Sequence, residues 1–201
     1  MFSLTENEIR TVNFLIRNWT ERHSINSISK KLNLSPMGGY KILKKLEKQK
    51  ILTFEKIGQA IYYEVNLDEQ IGQKTAEFVL SQNELNSFAK VCSDEIKKFY
   101  ELCDCVALFG SVLTKGINAN DIDLFCVVKK EKYEDLRKKI REWQKISSKH
   151  IQLIVQTTED LIKNLKNKDV VLLDIVRTGS FFLGQEIIVG GIKRCQLLKE
   201  K

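Results

Sequence analysis

The chain has 201 residues, of which 43% are hydrophobic and 29% are charged, and its formal net charge is +7. This is an ordinary globular composition, with length enough for one large or two small domains. No apolar run reaches the length of a membrane span, and the N-terminus lacks the pattern of a secretion signal. We therefore expect a cytoplasmic protein with no membrane partner.

Five cysteines, an odd number, fall at positions without the spacing of a metal site. Three of them lie in apolar segments, so reduced and mostly buried thiols are the expected state. The pair Cys103 and Cys105 leaves a redox or metal pair as the alternative.

The basic excess is concentrated in the N-terminal third. Residues 1–66 contain 11 Lys or Arg against 6 Asp or Glu, whereas the remaining 135 residues contain 22 against 20. A local positive charge of this kind favours a polyanionic partner for the N-terminal third.

Three helices and a hairpin are predicted within this third. Thr5 and Glu8 fit a capping box, Ser24 fits the start of a second helix, and Ser35 followed by Pro36 fits the start of a third. Two alternating segments then surround Gly58, which is typical of a β-hairpin. Residues 3–66 thus resemble a winged helix-turn-helix domain, and we take residues 1–66 as that domain.

The resemblance implies that DNA is the partner and that the third helix enters the major groove. Its lysines would meet phosphates, whereas Met37 and Tyr40 would reach base edges. The implied DNA-binding residues are Ser35, Met37, Tyr40, Lys41, Lys44, Lys45, Lys56 and Gln59. Gly38 and Gly39 would either allow close approach to the DNA or fray the first turn. The alternative for this domain is a protein-interaction module whose lysines are simply solvated.

Residues 67–104 carry apolar side chains at helical spacings. We assign residues 67–84 to a helical connector, and the amphipathic helices of this region serve either as a homodimer face or in packing within the chain.

The segment from Val106 to Val128 carries the most specific pattern of the chain. An apolar run ends at Gly110 and Ser111, a polar turn follows, and a second apolar run opens with Asp121 and Asp123. Two buried strands are predicted, and residues two apart on a strand share one face. Paired carboxylates raise each other's proton affinity and suit a hard cation such as Mg²⁺ or Mn²⁺, which in turn binds substrate phosphates.

This order of glycine, serine and Asp-apolar-Asp resembles the nucleotidyltransferase superfamily that includes the DNA polymerase β-like and minimal nucleotidyltransferases. The resemblance covers residues 85–192, and we assign the domain to residues 85–201. It implies a small mixed sheet flanked by helices, and hence an α/β (α+β) chain. It also implies metal ligation by Asp121 and Asp123, and binding of a nucleoside triphosphate. The implied nucleotide-binding residues are Gly110, Ser111, Lys115 and Gly116, and the implied catalytic residues are Asp121, Asp123 and Ser111.

The rest of the domain is predicted from periodicity and caps. We expect a charged helix over 131–147, a strand from His150, two further helices closed by Gly179, and a strand-like end over 185–189. Members of the superfamily usually carry a third carboxylate on the strand that begins at His150, where this chain has Gln152. His150 and His23 are interpreted as surface or packing residues.

Two functions follow. The first is a DNA-binding protein that binds a Mg-nucleoside triphosphate and transfers a nucleotidyl group to an acceptor, which is a protein hydroxyl, a small molecule or a nucleic acid end. The second is a transcriptional regulator whose nucleotidyltransferase domain is inactive and acts as a nucleotide sensor or assembly module. The intact Gly-Ser and Asp-Ile-Asp motifs favour the first function. The neutral Gln152 favours the second, because an amide cannot replace a charge or act as a base. The two functions are compatible in one protein.

Overall fold

The structure is a computed structural model and describes residues 3–197. The chain forms two compact units, Met1–Leu80 and Ser81–Lys201. Helices and two small sheets make up the described residues, so the prediction of a mixed α/β chain is confirmed.

The described residues of the N-terminal unit form, in chain order, α1 (Glu6–Arg17), β1 (His23–Ser24), α2 (Ile25–Lys31), α3 (Pro36–Lys48), β2 (Leu52–Ile57), β3 (Ala60–Val65) and α4 (Gln70–Ser81). The three strands make an antiparallel sheet in the order β1-β3-β2.

Side-chain caps fix where the first three helices begin. Thr5 and Glu8 form a capping box at α1, Ser24 accepts from the Ser27 N–H at α2, and Ser35 accepts from the Gly38 N–H at α3. Each cap satisfies a backbone donor that the helix itself leaves open. The helices close over a core in which the largest fully buried side chains include Leu15, Ile16, Ile28, Leu43, Leu46 and Tyr63.

The described residues of the C-terminal unit form, in chain order, α5 (Ser87–Ile96), β4 (Cys103–Phe109), α6 (Ser111–Lys115), β5 (Asp121–Val128), α7 (Tyr133–Ile146), β6 (His150–Gln156), α8 (Thr158–Lys166), α9 (Val170–Thr178), β7 (Ser180–Leu183) and α10 (Gln185–Gln196). The four strands make a mixed sheet in the order β6-β5-β4-β7.

Strand β5 pairs antiparallel with β4 and parallel with β6, which places the end of β4 and the beginnings of β5 and β6 at one end of the sheet. One face of the sheet packs on α5 and α7, with Ile122, Leu124, Leu136 and Trp143 among the buried side chains. The other face is covered by α8, α9 and α10. Asp121 lies on this second face, at the end of the sheet where β5 begins.

Two predicted segments are corrected by the structure. The helical region predicted over 67–104 is interrupted, because residues 82–86 are not helical and strand β4 already begins at Cys103. The strand-like end predicted over 185–189 is wrong, because Gln185–Gln196 is a helix. Its buried residues, which include Ile188, Val189 and Ile192, follow helical rather than alternating spacing.

All five cysteines are buried and reduced, as expected. Burial raises the pKa of Cys92 to about 11, so this thiol is not poised for reaction. Among residues 3–197, no helix is both long and apolar enough to cross a membrane.

Candidate functional site

Asp121 and Asp123 stand at the beginning of the central strand β5. Their side chains are neither buried nor fully exposed, whereas Ile122 and Leu124 between and after them are buried on the opposite face. Strand alternation therefore presents both carboxylates on one side of the sheet. Within the described part of the chain, no Lys or Arg forms an ion pair with either carboxylate.

Burial raises the pKa of Asp123, and the neighbouring Asp121 carboxylate raises it further. Both effects make the ionised pair costly when the protein is alone. A bound divalent cation would remove that cost, since oxygen ligands of this kind suit Mg²⁺ or Mn²⁺. The donor set thus fits the metal that the sequence resemblance implies.

Gly110 lies directly against Asp123. Strand β4 ends at Phe109, whose register partner is Asp123, and the chain then turns through Gly110 with φ of +72°. A Cβ atom at Gly110 would overlap the Asp123 carboxylate. Glycine is therefore required both by the backbone conformation and by the close approach of the acid.

The other predicted nucleotide-binding residues follow on α6. Ser111 is its first residue, half-buried beside Gly110, while Lys115 at its end is exposed and Gly116 follows with φ of +55°. The structure thus brings Gly110 and Ser111 close to the acid pair through the β4–β5 pairing.

Asn86 is a positioning residue for α6 that sequence reasoning missed. Its Oδ1 accepts from the Ala89 N–H and caps α5, while its Nδ2 donates to the carbonyl oxygens of Val112 and Leu113 at 2.9 and 3.0 Å. The available signal was an asparagine immediately before a helical run. Asn86 thereby joins the start of α5 to α6, the short helix that begins at Ser111.

The edge strand β6 places one amide and one imidazole beside the acids. In the parallel register Gln152 is opposite Asp123, and His150 is opposite Asp121. The sequence-based position of Gln152 therefore agrees with the register. The placement of His150 beside Asp121, with Nδ1 3.9 Å from Asp121 Oδ1, was not anticipated.

No three His, Cys, Asp or Glu side chains within residues 3–197 are already arranged as a metal-binding group. The Asp160 carboxylate does not supply the missing acid, because it forms the capping box of α8 with Thr157. The acid pair is thus a partial ligand set, to which substrate phosphates or other side chains would have to add.

In the N-terminal unit, the lysines of α3 are engaged to different degrees. Lys45 Nζ lies 2.7 Å from Glu8 Oε1, and the Glu8 side chain is only 4% exposed. Lys44 Nζ lies 2.7 Å from Glu47 Oε2 and 5.4 Å from the centre of the Phe54 ring. These two lysines thus contribute to the fold itself, Lys45 by joining α3 to the capping box of α1.

The remaining predicted DNA-binding residues are solvent-exposed. Met37 and Tyr40 are 63% and 45% exposed, which is unusual for large apolar side chains on a helix. Ser35, although exposed, is used as the cap of α3. Lys41 on α3, Lys56 on β2 and Gln59 in the hairpin turn are also exposed. Among the described residues, neither of these two lysines forms an ion pair.

Gly39 has a packing role. It is buried, and a Cβ atom at this position would overlap the Ser29 side chain of α2. Glycine here lets α2 and α3 approach closely, so the interpretation of Gly39 as a point of close DNA approach or of fraying is replaced.

Residues 89–176 match the family model of the nucleotidyltransferase domain, which is less than half of the chain but includes the acid pair and Gly110. The resemblance predicted for this region is thus confirmed for residues 89–176. No curated protein gives a significant match to the sequence.

Solved structures with some similarity include a point mutant of Lactococcus lactis ZitR, at 16% identity, covering 71% of this chain and 77% of that chain, with a TM-score of 0.34. Another is the adhesin competence repressor AdcR from Streptococcus pyogenes, at 17% identity, covering 70% and 80%, with a TM-score of 0.33. Such TM-scores support no argument about this chain.

Proposed function

We propose that the C-terminal unit binds a nucleoside triphosphate together with a divalent cation at Asp121 and Asp123. The observation that carries the proposal is the half-buried, unneutralised pair of carboxylates that lies beside Gly110 and within the matched nucleotidyltransferase segment. Acids whose pKa is raised by burial and by a neighbouring carboxylate, as that of Asp123 is, concentrate at functional sites.

The residues of the chain have separate parts in this proposal. Asp121 and Asp123 hold the ion, which when bound would neutralise the carboxylates and orient the phosphates. Gly110 leaves room for the Asp123 carboxylate beside the turn, and Ser111 supplies a hydroxyl and a backbone N–H. Lys115 and Gly116 at the far end of α6 complete the phosphate-binding side.

Nucleotidyl transfer is a second candidate function, and the retained acid pair favours it. Positioning and charge stabilisation supply most of the catalysis in phosphoryl transfer, and both depend on the ion. Gln152 argues against transfer, because it occupies the position beside Asp123. Its neutral amide can neither balance the charge of a metal ion nor take a proton from an acceptor hydroxyl. Binding without transfer makes the unit a nucleotide sensor.

A titration distinguishes these functions. Full-length protein is titrated calorimetrically with each of the four ribonucleoside triphosphates in the presence of Mg²⁺ or Mn²⁺, and pyrophosphate is assayed in the same samples. Binding with release supports transfer, and binding without release supports the sensor. If no nucleotide binds in the presence of Mg²⁺ and none binds in the presence of Mn²⁺, the proposal is overturned.

We further propose that the N-terminal unit binds DNA through α3 and the hairpin. The helix caps and the three-stranded sheet present Met37, Tyr40 and Lys41 on an exposed surface, in a region with five excess positive charges. Lys41 and Lys56 would contact phosphates, while Met37 and Tyr40 would meet base edges. Lys44 and Lys45 contribute less, because their ammonium groups are already paired.

Fluorescence anisotropy of labelled duplex DNA with the full-length protein tests this proposal. The expected result is binding whose logarithmic affinity falls linearly with the logarithm of salt concentration. If no duplex binds at low salt, the winged helix is a protein-interaction module.

A further inference from the structure

His150 is placed at the acid pair by the sheet itself. Strands β5 and β6 begin together, and the parallel register sets His150 opposite Asp121. The imidazole Nδ1 lies 3.9 Å from Asp121 Oδ1, which is too long for a hydrogen bond. In octahedral coordination, two ligand atoms that are each about 2.0–2.2 Å from the ion lie roughly 3 Å apart if they are adjacent and roughly 4 Å apart if they are opposite. The distance of 3.9 Å between the imidazole and the carboxylate lies within this range.

The backbone around His150 is held on both sides. Gln144 of α7 donates to the Lys149 carbonyl at 3.0 Å and accepts from the Ile151 N–H at 2.8 Å. Ser147 also donates to the Lys149 carbonyl, at 2.9 Å. These bonds fix the position from which the His150 side chain starts, next to the end of the sheet that carries the acids.

The His150 side chain, by contrast, is not committed to the fold. It is 70% exposed, and in the described part of the molecule its ring nitrogens form no hydrogen bond, with the Asp121 carboxylate 3.9 Å away as its nearest acidic group. Exposed side chains change rotamer on the picosecond-to-nanosecond scale. The imidazole can therefore turn toward an ion at Asp121 without breaking a contact.

Because residue 152 is a glutamine, the edge strand β6 supplies no carboxylate to the site. The donors that β5 and β6 present together are two carboxylates, one imidazole and one amide. Imidazole suits first-row transition ions, whereas Mg²⁺ prefers oxygen ligands and retains its waters. Such a mixed set therefore discriminates between the two kinds of ion.

We infer that His150 is a third metal ligand of this site and that it makes the site prefer a divalent first-row transition ion over Mg²⁺. This inference rests on the proposed function, since it assigns the metal class of the same site. The register of β6 thereby compensates in part for the acid that Gln152 does not supply.

The test measures metal binding directly in the full-length protein without nucleotide. Co²⁺ is titrated by calorimetry and by its visible absorption, which changes when nitrogen replaces oxygen in its coordination, and Mg²⁺ is titrated by calorimetry. We expect wild type to bind Co²⁺ more tightly than Mg²⁺. His150→Ala should weaken Co²⁺ binding by about tenfold or more and remove the nitrogen-dependent absorption, with Mg²⁺ affinity unchanged.

Two further variants separate ligation from indirect effects. His150→Asp supplies oxygen instead of nitrogen, so Co²⁺ affinity should fall toward that of Mg²⁺ while Mg²⁺ affinity rises. Lys145→Ala, an exposed change on α7, should alter neither titration.

The outcomes are distinguishable. If wild type binds neither ion, even with nucleotide present, the proposed function fails and this inference fails with it. If it binds both ions and His150→Ala leaves the Co²⁺ affinity and spectrum unchanged, only the inference on His150 is overturned. If Co²⁺ binding survives Asp121→Ala through His150 alone, the imidazole binds the ion independently of the acid site, which also overturns it.

Discussion

Lys44 and Lys45 in the N-terminal unit and the acid pair in the C-terminal unit differ in how their charge is balanced. In the N-terminal unit, Lys45 neutralises the buried Glu8 and Lys44 neutralises Glu47, so charge is balanced within the fold. In the C-terminal unit, Asp121 and Asp123 lie side by side without a Lys or Arg partner among residues 3–197. A half-buried, unneutralised pair costs stability, which a fold tolerates where a ligand offsets the cost.

This difference shows which charges are available for binding. Lys45 and Glu8 are structural, because Glu8 forms the capping box of α1 with Thr5 and Lys45 neutralises the Glu8 carboxylate. Lys41 on the same helix is available to a binding partner. The absence of a side chain at Gly110 gives the Asp123 carboxylate the room that it occupies. Four substitutions test this contrast, beginning with the one of largest expected effect.

Gly110→Ala should be the most damaging single change. The φ of +72° at this position disfavours a side chain, and the added Cβ would displace the Asp123 carboxylate. We therefore expect the free energy of unfolding to fall by about 1–3 kcal/mol and nucleotide binding to be lost. Thermal unfolding and calorimetric titration measure the two effects. Gly190→Ala is the matched control, because a Cβ there meets open space; equal behaviour of the two variants would refute the role of Gly110.

Lys45→Ala should destabilise the N-terminal unit by about 1–2 kcal/mol, because it leaves the buried Glu8 carboxylate without its cation. Burial acts to raise the pKa of Glu8, but the bonds from Lys45 and Thr5 prevail, and the net pKa is lowered. A lowered acid pKa contributes stability above its unfolded value of about 4.3, and this contribution is lost as pH falls through the folded pKa. Urea unfolding at neutral and acidic pH should therefore show the difference between variant and wild type shrinking on acidification.

Asp123→Asn should stabilise the protein modestly when divalent ions are chelated. Because the folded pKa of Asp123 is raised, wild-type stability falls as pH increases from about 3.9 through that raised pKa, and the variant escapes this loss. Melting temperatures should thus diverge toward neutral pH and converge at acidic pH. A variant less stable than wild type at neutral pH, with ions chelated, would show that the acid pair is not strained.

Lys41→Ala should have the smallest effect on the fold, within about 0.5 kcal/mol, because the side chain is exposed. DNA affinity should nevertheless fall, with the salt slope reduced by about 1. Lys90→Ala on α5 is the control, since it removes an equally exposed lysine outside the N-terminal unit. Identical DNA affinities for the two variants would exclude α3 as the DNA-binding helix.

Local signals made much of the fold predictable from the sequence. Caps at Thr5, Ser24 and Ser35 identified the first helices, and the alternation around Asp121 and Asp123 identified the central strand. The register partner of Gln152 was also predictable, because the superfamily motif specifies the neighbouring strand. These features depend on residues close together in sequence or on a motif of fixed spacing.

Long-range features were not predictable. The helix over Gln185–Gln196 was missed because a short apolar run suits a strand equally well until its tertiary contacts are known. His150 beside Asp121, the ion pair of Lys45 with Glu8, and the bonds of Asn86 to α6 each join distant residues through pairing or packing. No sequence signal specifies those partners.

The most direct measurement is the calorimetric affinity of the full-length protein for a nucleoside triphosphate with Mn²⁺, compared between wild type, the double variant Asp121→Asn with Asp123→Asn, and the exposed control Asp135→Asn. We predict metal-dependent binding in wild type and control, and none in the double variant, with circular dichroism unchanged in all three. Equal nucleotide affinity in the double variant and wild type would contradict the assignment of the acid pair as the metal-nucleotide site.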